Sequence, residues 1–186
     1  MIQIGSLLKE NTNDLHTRLE QIGFINKILN RSLTKEEYKK LILSNYIFHL
    51  SMEEKLQGIT GIHQLNIKWK MPFLEKDKIE VGGFEFKKLE IDFEIKDITE
   101  ALGCLYVLEG ATLGGRVIKK HLEHLSIPMH YYGCYGEEGG MHWKKFMQDL
   151  ATFVDTNEKA ERSLSAAKKT FEFCIECFEK VISKSN

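Results

Sequence analysis

Lys9, Thr12, His16 and Glu20 are spaced three to four residues apart along the N-terminal segment, so on a helix they line one strip. That strip runs beside an apolar stripe of Leu8, Leu15, Leu19 and Ile22. An imidazole at such a margin can ligate a metal, and a carboxylate one turn further on can accept the proton of the other ring nitrogen, fixing the tautomer. Lys9 lies about 10 Å back along the axis at 1.5 Å per residue, where it can pair with an anionic group lying over a ligand plane. The same spacing also suits a histidine that only packs at the edge of a core.

A second segment, Gly103–Lys120, keeps a helical apolar period through Leu105, Leu108, Leu113, Val117 and Ile118, yet it contains Gly103, Gly110, Gly114 and Gly115. Each glycine costs about 1 kcal/mol relative to alanine inside a helix. Gly103, Gly110 and Gly114 are spaced by seven and four, which predicts a bare strip of backbone with Ala111 beside it. Two explanations fit that strip: a flat or bulky ligand lying on it, or close helix packing with a bend at the Gly-Gly pair.

The elements that must hold these residues are helical. The pattern predicts helices over 3–21, near 24–30, and up to about 57 from a capping box in which Thr34 is followed three residues later by Glu37. A connector spans 58–72. Residues 73–96 alternate in places like strands, but no partner strand is evident, so short helices around Gly82-Gly83 are expected there. The glycine-bearing helix should run from about 97 to 125, where Pro128 stops it. A Tyr- and Gly-rich loop follows over 129–140, then helices at about 139–155 and 157–183.

At 186 residues, with 42% hydrophobic and 28% charged side chains and only 2 prolines, the chain reads as a single all-α domain covering 1–186. A net charge of −1 offers no field for a nucleic-acid backbone. No apolar run of spanning length and no leader pattern is apparent, so a cytoplasmic protein without a membrane partner is expected. Cys174 and Cys177 have the spacing of half a zinc site or a redox pair, but they lie within a helical pattern and no second pair exists. Buried reduced thiols are the better expectation.

His16-Thr-Arg-Leu-Glu20, with Leu8-Lys9 before it and Phe24-Ile25 after it, resembles the proximal segment of haem oxygenases. Tyr106-Val-Leu-Glu-Gly110-Ala-Thr-Leu-Gly114-Gly115-Arg-Val-Ile resembles their distal helix, in the form typical of bacterial biliverdin-producing members. Tyr46–Glu54 and Ala167–Glu179 resemble two further helices of the family, so only about 59–96 and 128–141 lie outside the likeness.

The resemblance implies an all-α fold with haem b between the first helix and the glycine-kinked one. His16 becomes the iron ligand and Glu20 its hydrogen-bonding support. Gly110 and Gly114 let distal backbone crowd bound O2 toward one meso carbon. Lys9 pairs with a propionate, as does Lys144 after the aromatic Trp143, and Phe171 and Phe178 wall the pocket. Without the resemblance, those two phenylalanines are equally well read as core aromatics seven apart.

The likeness has departures. Ala111 stands where many animal members carry the aspartate that anchors the water network delivering protons. His49 stands where they have the facing tyrosine, and Cys174 replaces an asparagine. Asn13 takes the place of a second lysine near His16. His49 is therefore a candidate for a substitute proton path, against the alternative of a satisfied buried histidine.

The activity implied is oxidative cleavage of haem to biliverdin, carbon monoxide and ferrous iron. The chain has no nucleotide fingerprint and no cluster-binding cysteine set, so electrons are expected from a ferredoxin or an NAD(P)H-dependent reductase. The alternatives are a haem carrier or sensor on the same fold that does not degrade haem, and a haem-free helical protein whose glycines serve packing.

Overall fold

The computed structural model describes residues 3–182, apart from the side chain of Thr112. Eight α-helices follow one another among them: α1 Ile4–Ile22, α2 Ile25–Leu29, α3 Lys35–Gln57, α4 Met71–Glu80, α5 Ile98–Leu113, α6 Gly115–His121, α7 Gly139–Phe153 and α8 Asn157–Ile182. No strand occurs among the described residues. The expected end of the last helix at 183 lies outside them.

Local chemistry sets the boundaries. Thr34 accepts the N–H of Glu37, and the Glu37 side chain accepts that of Thr34, so the capping box opens α3 as its spacing predicts. Pro72 stands in the first turn of α4, where its missing N–H falls at a position for which a helix has no acceptor. Asp97 accepts the N–H groups of Thr99 and Glu100 to start α5, and Thr156 does the same for Lys159 at the head of α8. Between α1 and α2 the chain turns through Phe24 at φ 62°, a left-handed conformation rare for a bulky residue.

α8 is the hub. It packs against α5, α1 and α3, burying Ala160, Ala166, Ala167, Phe171, Phe173, Cys174, Cys177 and Phe178. α1 and α5 each lie on α8 but make no substantial contact with each other, so a cleft opens between them.

Two expectations need correction. Residues 83–96 form neither the expected short helices nor strands. After α4 the chain turns through Gly82 and Gly83 at positive φ and then runs irregularly along α3, tied by Ser51 and Lys55 side chains to the carbonyls of Leu89, Ile91 and Phe93. A hydroxyl and an ammonium on α3 satisfy that backbone, so no ladder partner is needed. The stretch Ile98–His121 is also long and apolar enough to cross a membrane by length and composition, which the sequence reading denied. Just over half of its apolar window is buried inside the protein, so packing on α8 accounts for its apolarity.

Candidate functional site

The cleft between α1 and α5–α6 holds a cavity of about 650 Å³. Lys9, Thr12, Asn13, His16 and Glu20 border it from α1; Tyr106, Gly110, Ala111, Leu113 and Gly114 border it from α5 and the α5–α6 joint; and Phe171, Cys174 and Phe178 border it from α8. The helical period that predicted the α1 strip delivers it to one wall.

His16 lies in the open part of the cavity, with 56% of its side chain exposed, and its ring meets the edge of Phe171 at 6.1 Å. Its Nδ1 is 3.7 Å from Oε2 of Glu20, which leaves Nε2 as the nitrogen a metal can take. Lys9 is exposed at the margin, and buried Phe171 and Phe178 supply apolar wall.

The glycines of the second motif divide into two kinds. A methyl group on Gly103 would stand 2.0 Å from the carbonyl oxygen of Ser163, and one on Gly115 would stand 2.5 Å from that of Tyr132. These two are packing glycines, which corrects the expectation of one bare strip that includes Gly103. At Gly110 the nearest atom would be 3.8 Å away, in Trp143, and at Gly114 nothing lies within 4 Å. Protein packing therefore leaves room for a side chain at both, and the space their missing side chains release belongs to the cavity. α5 ends beside this point and Gly114 caps α6 at φ −76°, so the bend needs no left-handed residue.

This donor set fits a flat, largely apolar metal complex with anionic edges. One imidazole faces the cavity from α1, a carboxylate supports it, two side-chain-free positions face the cavity from α5 and its joint with α6, and a lysine sits at the rim. Among the described residues no cluster of three or more His, Cys, Asp or Glu exists that would bind a bare metal ion.

Two of the other named residues, Lys144 and His49, do not border the cavity. Lys144 is exposed on α7 and does not border the cavity, whereas its neighbour Trp143 does. His49 is wholly buried one layer behind the wall. Its Nε2 is 3.0 Å from the hydroxyl of Tyr131 and its Nδ1 3.0 Å from Oε1 of Glu53. Burial holds its pKa below the usual imidazole value, against the pull of Glu53. Cys174 borders the cavity as a buried thiol, and burial raises its pKa well above that of a free cysteine.

Sequence reasoning missed Tyr131 and Tyr132, which border the cavity from the loop between α6 and α7. It also missed a buried cluster at Glu109, just before Gly110. There Lys70 Nζ donates to Glu109 at 2.7 Å and to the Tyr135 hydroxyl at 3.0 Å, and Tyr135 in turn donates to Glu109. A lysine 1% exposed beside a glutamate 8% exposed is a pairing that only the fold discloses.

The model of the family described as heme oxygenase matches residues 3–76. Solved structures resemble the chain over nearly its whole length. The NO- and CO-bound heme oxygenase of Neisseria meningitidis has a TM-score of 0.78 at 19% identity, covering 98% of this chain and 94% of that one. A heme oxygenase from the cyanobacterium Synechocystis, in complex with heme, has a TM-score of 0.75 at 17% identity, covering 98% and 94%. The heme oxygenase of Leptospira interrogans has a TM-score of 0.72 at 17% identity, covering 96% and 100%. Among curated proteins none matches this sequence. The likeness establishes the fold.

Proposed function

We propose that this chain, folded as haem oxygenases are, is itself a haem oxygenase that cleaves haem b to biliverdin, carbon monoxide and ferrous iron, with O2 and electrons from an external donor. The observation that carries the proposal is the pairing, around one cavity, of an outward-facing imidazole on α1 with two glycines whose missing side chains no protein atom replaces. Bound haem supplies the iron on which O2 is activated, and is itself the molecule consumed.

The chain's own residues bind, orient and exclude. His16 would hold the iron through Nε2, with the Glu20 carboxylate 3.7 Å from the opposite nitrogen, placed to orient it. Gly110 and Gly114 would let distal backbone approach the ligand face, where a side chain would hold it off, and would thereby limit the room open to O2 over the macrocycle. Lys9 at the rim would pair with a propionate, whereas Lys144, exposed on α7 outside the cavity, would have to reach in from beyond it to meet the second. Phe171 and Phe178 keep water from the apolar faces. A ferredoxin or an NAD(P)H-dependent reductase supplies electrons in the cytoplasm.

Hemin titration followed by turnover with ascorbate or a ferredoxin system tests this. Growth of biliverdin absorption as the Soret band decays is the expected result. A Soret band stable under reductant and O2 would instead favour a haem carrier or sensor, for which Ala111 beside Gly110 and Cys174 are the motivating residues. Absence of any saturable Soret change would remove haem altogether.

A further inference from the structure

The alternation Phe84-Glu85-Phe86, which looks strand-like in the sequence, serves no ladder: after the Gly82-Gly83 turn both rings meet Tyr46 of α3. The Tyr46 ring stands 5.3 Å from Phe84 at 80° and 4.9 Å from Phe86 at 64°. The two phenylalanines meet each other at 6.4 Å and 78°. Three rings so steeply inclined to one another form three walls of a box. Tyr46, 4% exposed, is its buried wall, whereas Phe86 is 37% exposed and leaves the box open to solvent. At the edge, the Tyr46 hydroxyl donates to the carboxylate of Glu75. None of these residues borders the cavity between α1 and α5.

Half-buried Lys78 of α4 reaches into this box. Its Nζ is 5.0 Å from the Tyr46 centroid, 5.1 Å from that of Phe86 and 5.4 Å from that of Phe84. Ring faces are negative, so a cation among three of them is attracted from three sides without needing a hydrogen-bond acceptor. The spacing is wide for a primary ammonium, which has only hydrogens with which to cross it. A methylated nitrogen carries carbons at about 1.5 Å, and a carbon rests about 3.5–4.0 Å from a ring, which sets nitrogen at about 5.0–5.5 Å. All three distances fall in that range. An ammonium also surrenders strongly held water on entering such a box, whereas a quaternary nitrogen has no N–H groups to leave unsatisfied. Lys78 is thus a loose occupant of a site dimensioned for methyl groups.

We propose that Tyr46, Phe84 and Phe86 form a binding site for a small quaternary ammonium ion, and that Lys78 fills it as a displaceable plug. The ion enters past Phe86 and lays its methyl groups on the three ring faces. Lys78, on a flexible four-carbon stem, returns its ammonium to water as the ion arrives. Glu75 adds negative charge at the rim and holds the Tyr46 ring by its hydroxyl. No covalent bond forms or breaks. The site lies outside the haem cavity and stands whether or not the chain cleaves haem.

Tetramethylammonium, with methylammonium for comparison, is titrated into the full hemin-free chain while proton NMR follows the methyl signal of the probe. Methyl groups lying on ring faces feel the ring currents, so the tetramethylammonium signal should move upfield and saturate. Lys78→Ala and Lys78→Gln, which each remove the plug, should bind it about 10-fold more tightly than the wild type. Phe86→Leu keeps the bulk of a wall but not its π-face, and should weaken binding by about 10-fold or more. Methylammonium should bind more weakly than tetramethylammonium in every chain. No saturable shift in the wild type or in either Lys78 variant overturns the site. Affinity unchanged by both Lys78 substitutions overturns the plug, and affinity unchanged in Phe86→Leu overturns the box as the place of binding. Equal affinity for the two probes overturns the assignment to a quaternary ion.

Discussion

One added methyl group distinguishes the two kinds of glycine. Gly103→Ala forces a carbon to within 2.0 Å of a backbone carbonyl on α8, and should cost about 2–3 kcal/mol as the helices separate. Gly114→Ala meets nothing at an ordinary helical φ, and should leave stability unchanged or raise it by about 0.5 kcal/mol. Urea denaturation of the two variants checks both, and equal destabilisation would mean that Gly114 is a packing residue too. A larger side chain at Gly114 should impair turnover or change the bilin isomer. His16→Ala should abolish the axial histidine signature in the hemin spectrum while leaving the hemin-free fold intact, because the ring is mostly exposed; an unchanged spectrum would place the ligand elsewhere. The imidazole, its carboxylate neighbour and the cavity glycines were all legible, because each belongs to a short-range pattern. Gly103 was not, because its reason is a carbonyl sixty residues away. Tyr131 was not, because it lies in a loop 82 residues from the histidine its hydroxyl meets.

At the level of elements, helix starts were legible wherever a side chain caps its own backbone. Thr34→Ala should remove the reciprocal bonds with Glu37 and cost about 1 kcal/mol, measurable as a lowered urea midpoint. The segment after α4 was illegible for the converse reason: its carbonyls are satisfied by Ser51 and Lys55 on α3, and such bonds leave no periodic trace in the segment. Two local patterns coincide in α5, one for packing on α8 and one for facing the cavity, and sequence spacing merged them into a single strip. The Lys70–Glu109–Tyr135 cluster braces α5 at the residue before Gly110. Lys70→Met leaves a carboxylate and a phenol without their buried ammonium, and should destabilise the chain by about 3 kcal/mol or more in the same denaturation assay.

The whole molecule responds to acid through its buried imidazole. An unfolded chain binds a proton at position 49 as pH falls below the ordinary value of 6.5, whereas the folded chain resists because burial lowers the His49 pKa. The stability due to neutral His49 is therefore complete above about pH 6.5 and lost as pH falls through the folded value, with a slope of at most about 1.4 kcal/mol per pH unit. Buried Asp77, whose pKa is raised by desolvation, acts with the opposite sign, so the contribution of His49 is isolated by comparing wild type with His49→Gln between pH 7.5 and 5.5. A shallower decline in the variant is expected, and parallel curves would show that His49 does not resist protonation. The seam at Gly114 has a consequence of another sort. Its neighbours Leu113 and Val117 stand in solvent, and the helical ladder is interrupted between them. Deuterium should enter the amides of 111–117 quickly in the hemin-free chain and slowly once hemin is bound, so that this short stretch reports occupancy without any chromophore being observed.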